Sequence, residues 1–348
     1  MSSNMLKKII LLAVLSTLLA ACAAPQAPVV KRSFYWPQLP ERPRVQWIES
    51  FSGQKDFPKT DFQIFTESIA GAADGATLLK PVTIASNGEG KVYVVDNDRG
   101  ALGAHVIDFK KMSMNLLGKE NSFGLFEFPI GIDLDASGNI YVADINKDAI
   151  LVFDKDEKPS RTINTKKDIE KIGGIAIDRN RQRIVVTDFT GHKLVVYDFD
   201  GTRLVSTGKR GVENGEFNFP TGVVVNHKGD IIVADSMNAR VQVFDGEGVF
   251  SRKFGRRGDG PGDLQVLKGI AVDSDDNIYV TDSRGHKFVI FNSQGDYLLT
   301  IGGLYSALGT GREAPGGFVI PQGIAIDKQD RIYVVDQMNK RFQIFQYI

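Results

Sequence analysis

Six aspartates close six similar strings of the chain: Asp96, Asp144, Asp188, Asp235, Asp282 and Asp336, at intervals of 48, 44, 47, 47 and 54 residues. Carboxylates gathered at one level of a fold are the raw material of a calcium or acid–base site. An aspartate at a strand end also accepts backbone N–H groups and fixes the turn that follows, and six identical turns call for six identical caps. The second use is the expectation, because an Asp-x-Asp-x-Asp-Gly run is absent. A second column, Asp135, Asp178, Asp273 and Asp327 with Asn87 and Asn226, suits turn formation in the same way. His192 and His286 share a third column, in Thr190-Gly191-His192-Lys193 and Arg284-Gly285-His286-Lys287. They fall in non-adjacent repeats, so one metal does not reach both, and a turn role is expected. Arg240, Arg341, Lys193 and Lys287 occupy one position and are expected to pair with the closing aspartate while resting their stems on the sheet. Asp133 is charged where the other repeats carry Ala85, Ala176, Val224, Ala271 and Ala325. A lone buried carboxylate is costly unless paired, so Asp133 needs a partner.

Two glycine-flanked basic strings, Gly208-Lys209-Arg210-Gly211 and Gly255-Arg256-Arg257-Gly258, suggest phosphate binding. A phosphate loop follows a strand and opens a helix, whereas a strand follows both of these. They are instead loops joining one repeat to the next. Lys209, Arg210, Arg240, Arg256, Arg257 and Arg284 are therefore the candidate ligand-binding residues, a basic surface for an anionic ligand around the fourth and fifth repeats. The chain as a whole is balanced, with 42 basic and 42 acidic residues. A nucleic-acid partner is not expected of such a composition. One cysteine allows no internal disulfide and no thiolate zinc cluster. No catalytic residue, metal ligand or cofactor emerges from these strings.

The elements that must position these residues are strands. In the fifth repeat, Gly269-Ile270-Ala271-Val272-Asp273 reads as a short apolar strand a. Residues 278–281 are strand b, 287–291 strand c and 296–301 strand d, separated by Gly, Asn, Asp and Ser turns. A Gly precedes the closing aspartate by 13 or 14 residues in five repeats (Gly131, Gly174, Gly222, Gly269, Gly323), and an aromatic follows it by nine (Phe153, Tyr197, Phe244, Phe291, Phe345). In the first repeat Thr83 replaces the Gly, and Phe109 as the aromatic implies a four-residue insertion. Four antiparallel strands at a period near 45 residues describe a propeller blade. The sixth unit ends after its strand c. Residues 44–53, Arg44-Val45-Gln46-Trp47-Ile48-Glu49-Ser50-Phe51-Ser52-Gly53, carry a strand d pattern, so this N-terminal strand is expected to complete the last blade. The fold class is all-β, a six-bladed β-propeller over residues 45–348, with residues 45–53 closing it and 54–80 inserted. A short helix over 62–69, opened by Thr60 or Asp61, is expected in that insertion. The segments 100–105 and 302–320 are the other irregular stretches.

The units resemble NHL repeats, on Phe219-Pro220-Thr221-Gly222-Val223-Val224-Val225 followed by Ala234-Asp235-Ser236-Met237-Asn238-Ala239-Arg240-Val241-Gln242-Val243-Phe244-Asp245. The resemblance spans about residues 81–348 and is strongest in blades four to six. It implies a six-bladed propeller and no single function, since fold does not dictate activity. Some NHL-like propellers are zinc-dependent lyases whose histidines stand just before the residue that opens strand a. The matching positions here are Val82, Ile130, Gly173, Thr221, Lys268 and Gln322, none of which ligates zinc as imidazole does. Related calcium-dependent lactonases need acidic and amide ligands at the channel mouth, and no such cluster is visible.

Lys7 and Lys8 followed by the apolar stretch 9–21 read as a signal peptide, too short to span a bilayer. Leu19-Ala20-Ala21-Cys22 resembles the lipobox of bacterial lipoproteins, which implies that Cys22 becomes the acylated first residue. Three acyl chains anchor stably where one is marginal. Ala23, rather than Asp, favours the outer membrane. Residues 22–44, with Pro25, Pro28, Pro37, Pro40 and Pro43, read as a semi-rigid tether after the 1–21 leader. The expected protein is a lipid-anchored propeller of the cell envelope that binds or scaffolds a protein partner through its loop-bearing face. The alternatives are a hydrolase or lyase with a channel site, and a receptor for an anionic polymer.

Overall fold

The computed structural model describes residues 33–38, 40–70, 75–118, 124–306 and 314–348. The leader and Cys22 lie outside the described residues. From Phe34 to Ile348 the chain is one compact unit. Branched and aromatic residues dominate the inner and middle strands, several of them continuous buried runs such as Ile140–Asp144 and Ala149–Phe153, whereas outer strands such as Pro159–Asn164 are largely polar and exposed. Six antiparallel sheets result. In blade five, strands a to d are Leu267–Val272, Ile278–Asp282, Lys287–Phe291 and Tyr297–Gly302. Blades one to four repeat this order, opening with Pro81–Ser86, Pro129–Leu134, Ile172–Asp178 and Pro220–Val225.

Blade six has strands a, b and c at Pro321–Ile326, Arg331–Asp336 and Arg341–Tyr347. Its strand d is Val45–Phe51, antiparallel to strand c with Trp47 opposite Phe345 and Phe51 opposite Phe342. The ring is thus closed by the N-terminal strand, which covers an edge that would otherwise offer unpaired backbone groups. Phe34–Trp36 adds a fifth strand outside it. This corrects the end of the expected tether. Phe34 packs edge-on against Trp47 at 6.0 Å, and Trp36 against Phe345 at 5.8 Å. The aromatic residues hold this segment to the sheet despite the surrounding prolines.

The core is six apolar clusters, one between each pair of neighbouring blades. The glycine column lets the inner strands approach. A Cβ at Gly174 would stand 2.6 Å from the Thr221 carbonyl oxygen, one at Gly222 2.6 Å from that of Lys268, and one at Gly269 2.7 Å from that of Gln322. Each strand a therefore lies against the backbone of the next strand a at these points.

Blade one differs from its sequence-based alignment. Asp96 pairs directly with Gly103, seven residues on, where Asp144 pairs with Ala149, five on. The insertion is two residues, and buried Ile107, opposite Val92, fills the place of the aromatic. Phe109 instead joins a cluster with Phe51 and Phe57. In the 54–80 insertion, helix α1 spans Asp61–Ala70, and the Ile64 N–H donates to the Thr60 carbonyl at 3.0 Å.

Candidate functional site

All six closing aspartates are fully buried. They do more than fix their own turn. Each also accepts one or two N–H groups from the loop that enters its own strand a, 16 to 18 residues upstream. Asp282 takes those of Gln265 at 2.9 Å and Val266 at 3.0 Å, and also that of Gly285 at 3.0 Å in its own turn. Asp144 takes those of Glu127 and Phe128. The second column is a set of turn caps. Asp273 accepts the Asp275 and Asn277 N–H groups and the Tyr279 hydroxyl. Burial raises the Tyr279 pKa, so that hydroxyl stays a donor. His192 Nδ1 accepts the Phe219 N–H at 3.0 Å, and His286 Nδ1 that of Ile320 at 3.1 Å. Both histidines clamp the loop entering the next blade.

Asp133 has its partners. Its carboxylate accepts from Arg179 at 2.6 Å and from the Ile177 N–H of the neighbouring inner strand at 2.8 Å. It ties blade two to blade three and is not free for chemistry. Among the described residues, no three His, Cys, Asp or Glu side chains are grouped to hold a metal ion.

The basic loop residues separate into two groups. Arg240 is corrected from a surface ligand to an internal support. It is 7% exposed, pairs with Asp235 at 2.7 Å, and donates to the carbonyls of Val212, Glu213 and Glu216. Arg341 does the same for Asp336 at 2.9 Å. Lys193 reaches Asp188 at 3.7 Å, whereas Lys287 donates to the Asp263 carbonyl. Lys209 pairs with Glu216 at 3.2 Å and Arg256 with Asp263 at 2.7 Å. Arg256 holds the Asp263 carboxyl below its ordinary pKa. Arg210, Arg257 and Arg284 remain exposed without a carboxylate partner among the described residues. The Arg257 guanidinium donates to the carbonyls of Met237 and Gln265, which fixes its orientation between the loops of blades four and five.

Beside them stand four exposed apolar residues that the charge pattern alone did not reveal: Val212, Met237, Leu304 and Met338. All lie in d–a or b–c loops. The signal was present in Ser236-Met237-Asn238 and Gln337-Met338-Asn339, where a long apolar residue occupies a turn otherwise made of polar ones.

The inner strands enclose a central channel of about 1100 Å³. At the end where they begin, it is ringed by Val82, Ile130, Gly173, Thr221, Lys268 and Gln322. The Thr221 hydroxyl donates to the Leu267 carbonyl at 3.1 Å. Lys268 is half-buried, and that burial lowers its ammonium pKa.

No curated protein matches the chain. Solved structures resemble it in fold. A protein of unknown function from Bacteroides thetaiotaomicron superposes with a TM-score of 0.62 at 15% identity, covering 86% of this chain and 75% of that one. A streptogramin B lyase gives 0.56 at 11%, covering 78% and 94%. An inactive variant of virginiamycin B lyase from Staphylococcus aureus, solved with quinupristin, gives 0.52 at 16%, covering 79% and 82%. Identities this low speak to fold alone. The family model described as 6-bladed beta-propeller matches residues 130–221, 220–303 and 273–347, and the chain belongs to that family.

Proposed function

We propose that this protein is an NHL-type propeller lipoprotein, acylated at Cys22 and held at the cell envelope, on the outer membrane. Its propeller binds a protein partner through the d–a and b–c loops of blades four to six. One observation carries this reading: Arg210, Arg257 and Arg284 are exposed beside exposed Val212, Met237, Leu304 and Met338 on contiguous loops. Methionine, arginine and apolar side chains together are the composition of interface cores, with charge-paired residues at the rim. The pairs Lys209–Glu216 and Arg256–Asp263 suit that rim. The three guanidiniums, without a carboxylate partner among the described residues, select a partner segment bearing carboxylates among apolar residues.

A photo-crosslinking amino acid placed at Val212 in living cells tests this. A discrete adduct is expected, lost when Arg210, Arg257 and Arg284 become Glu. The same label at Leu204, on the outer strand of blade three, should give none. Equal adducts from both positions, or none from Val212, would overturn the reading. Mass spectrometry of the N-terminal peptide tests the anchor, which requires a chain beginning at an acylated Cys22.

A further inference from the structure

The loop-face end of the channel has a chemical character that the loop-face reading does not use. The lining residues at this end include two cations, Lys171 and Lys268, and no acid. The acidic lining residues lie toward the other end, where the a–b turns hold Asp135, Asp178, Asp273 and Asp327. Lys268 has neither an ion pair nor a side-chain hydrogen bond among the described residues, although burial disfavours its charge. Its neighbour in the next blade, Gln322, likewise offers a carboxamide without a partner among them. The two stand on adjoining inner strands, whose backbones touch at Gly269 and the Gln322 carbonyl. Thr221, on the other side, is occupied in bracing the backbone beside Lys268. Val82, Ile130, Ile172 and Phe189 supply apolar wall.

We propose that this end of the channel is a binding site for a small monocarboxylate with an apolar body. The Lys268 ammonium supplies the counter-charge and the Gln322 amide a second donor, one for each carboxylate oxygen. An unpaired, partly desolvated ammonium is costly, and an incoming carboxylate replaces its lost hydration with a charge-assisted hydrogen bond. Beside Gln322 stands one cation, since Lys171 belongs to blade three, two blades from Lys268, and one cation with one neutral donor matches a monoanion; a phosphate dianion calls for more positive charge at one point or a nest of backbone N–H groups. The wall takes the apolar body, as in ligand pockets with few polar groups on an apolar lining. The site is separate from the loop-face partner and does not depend on it.

The test is calorimetric titration of the full chain at low salt with phenylacetate, octanoate and the neutral isostere phenylacetamide. Saturable binding of at least one carboxylate is expected, with phenylacetamide at least tenfold weaker than phenylacetate. Lys268→Met should weaken carboxylate binding by roughly ten- to a hundredfold. Lys268→Arg should retain it, and Gln322→Leu should cost several-fold. Should Lys268→Met fail to fold, the shift of the Lys268 side-chain NMR signal on adding phenylacetate to the unmodified protein gives the same answer. Absence of binding by either carboxylate, equal binding of acid and amide, or an unmoved Lys268 signal would overturn the proposal.

Discussion

Substitution of Gly269 by alanine isolates the physical basis of the glycine column. The added Cβ would lie 2.7 Å from the Gln322 carbonyl oxygen, 2.8 Å from the Ile324 nitrogen and 3.0 Å from the Gly323 Cα. All three are backbone atoms, so no side chain can swing aside. An ordinary carbon contact needs about 3.5–4.0 Å. The inner strands of blades five and six would have to separate by several tenths of an ångström. The ring is closed through Val45–Phe51, so that movement cannot be confined to one interface. Overpacking of this kind costs about 1–3 kcal/mol. Gly303→Ala is the control, because nothing lies within 4 Å of its Cβ and its φ is not left-handed. There the loss of unfolded-state freedom should stabilise by about 0.4–1 kcal/mol. Urea unfolding followed by tryptophan fluorescence is the assay, since Trp36 and Trp47 both report on blade six. Equal midpoints for the two variants would refute the account of the glycine column as a requirement for close approach.

Asp282→Ala strips three part-buried N–H groups of their charged acceptor and should cost about 2–4 kcal/mol, with Asp282→Asn intermediate, as read by urea midpoints. Deleting residues 45–51 uncovers the edge of Arg341–Tyr347 and should lower the circular dichroism melting point of the whole ring; an unchanged melt would contradict closure. Burial lowers the Lys268 pKa from 10.5, so between the lowered value and 10.5 the unfolded chain binds a proton that the folded chain does not. Stability then falls as pH drops through that interval, and the penalty is complete below it. Lys268→Met removes the penalty, so its stability relative to the unmodified chain should be greatest near neutral pH and decline as pH approaches 10.5. A pH-independent difference between the two melting curves would show that the lysine bears no such penalty.

Recurrence made the blade count legible, because a period near 45 with one aspartate and one glycine per unit has few structural solutions. It also made the closing strand legible, since a missing strand d at one end matched a spare one at the other. Partners across loops were not legible. That Asp282 recurs shows that something repeats; that it reaches back to Gln265 and Val266 depends on where the entering loop is folded. Arg240 was misplaced for the same reason. A cation in a column beside a turn reads as exposed until the carbonyls of Val212, Glu213 and Glu216 close over it. In blade one, matching aromatic to aromatic chose Phe109, whereas strand register is set by backbone pairing from Asp96 and Gly103 and delivers Ile107. Phe34-Tyr35-Trp36 is an odd string for a tether, but its composition left open whether it packs back on the domain or meets the membrane interface; Trp47 and Phe345, which hold it to the sheet, are contacts that proline density does not describe.

The repeated positions and the unrepeated ones divide the work. Residues that recur from blade to blade are consumed in holding it: the closing aspartates by entering loops, the turn Asp and Asn residues by their own turns, the glycines of blades three to five by the next strand's backbone. A group whose hydrogen bonds are all made within the ring has none to offer a ligand. Chemistry toward an outside molecule must then come from positions where six-fold repetition fails. The ring of Val82, Ile130, Gly173, Thr221, Lys268 and Gln322 is such a set, at one level of the channel with six different residues. Arg210, Arg257 and Leu304 are another, three successive loops with one position bridged alike to Phe217, Leu264 and Phe318 but filled differently. The symmetric scaffold places these residues in fixed geometry, and their asymmetry gives each site a direction. Lys268→Gln should therefore leave the ring, held by the glycine and aspartate columns, folded while removing carboxylate binding.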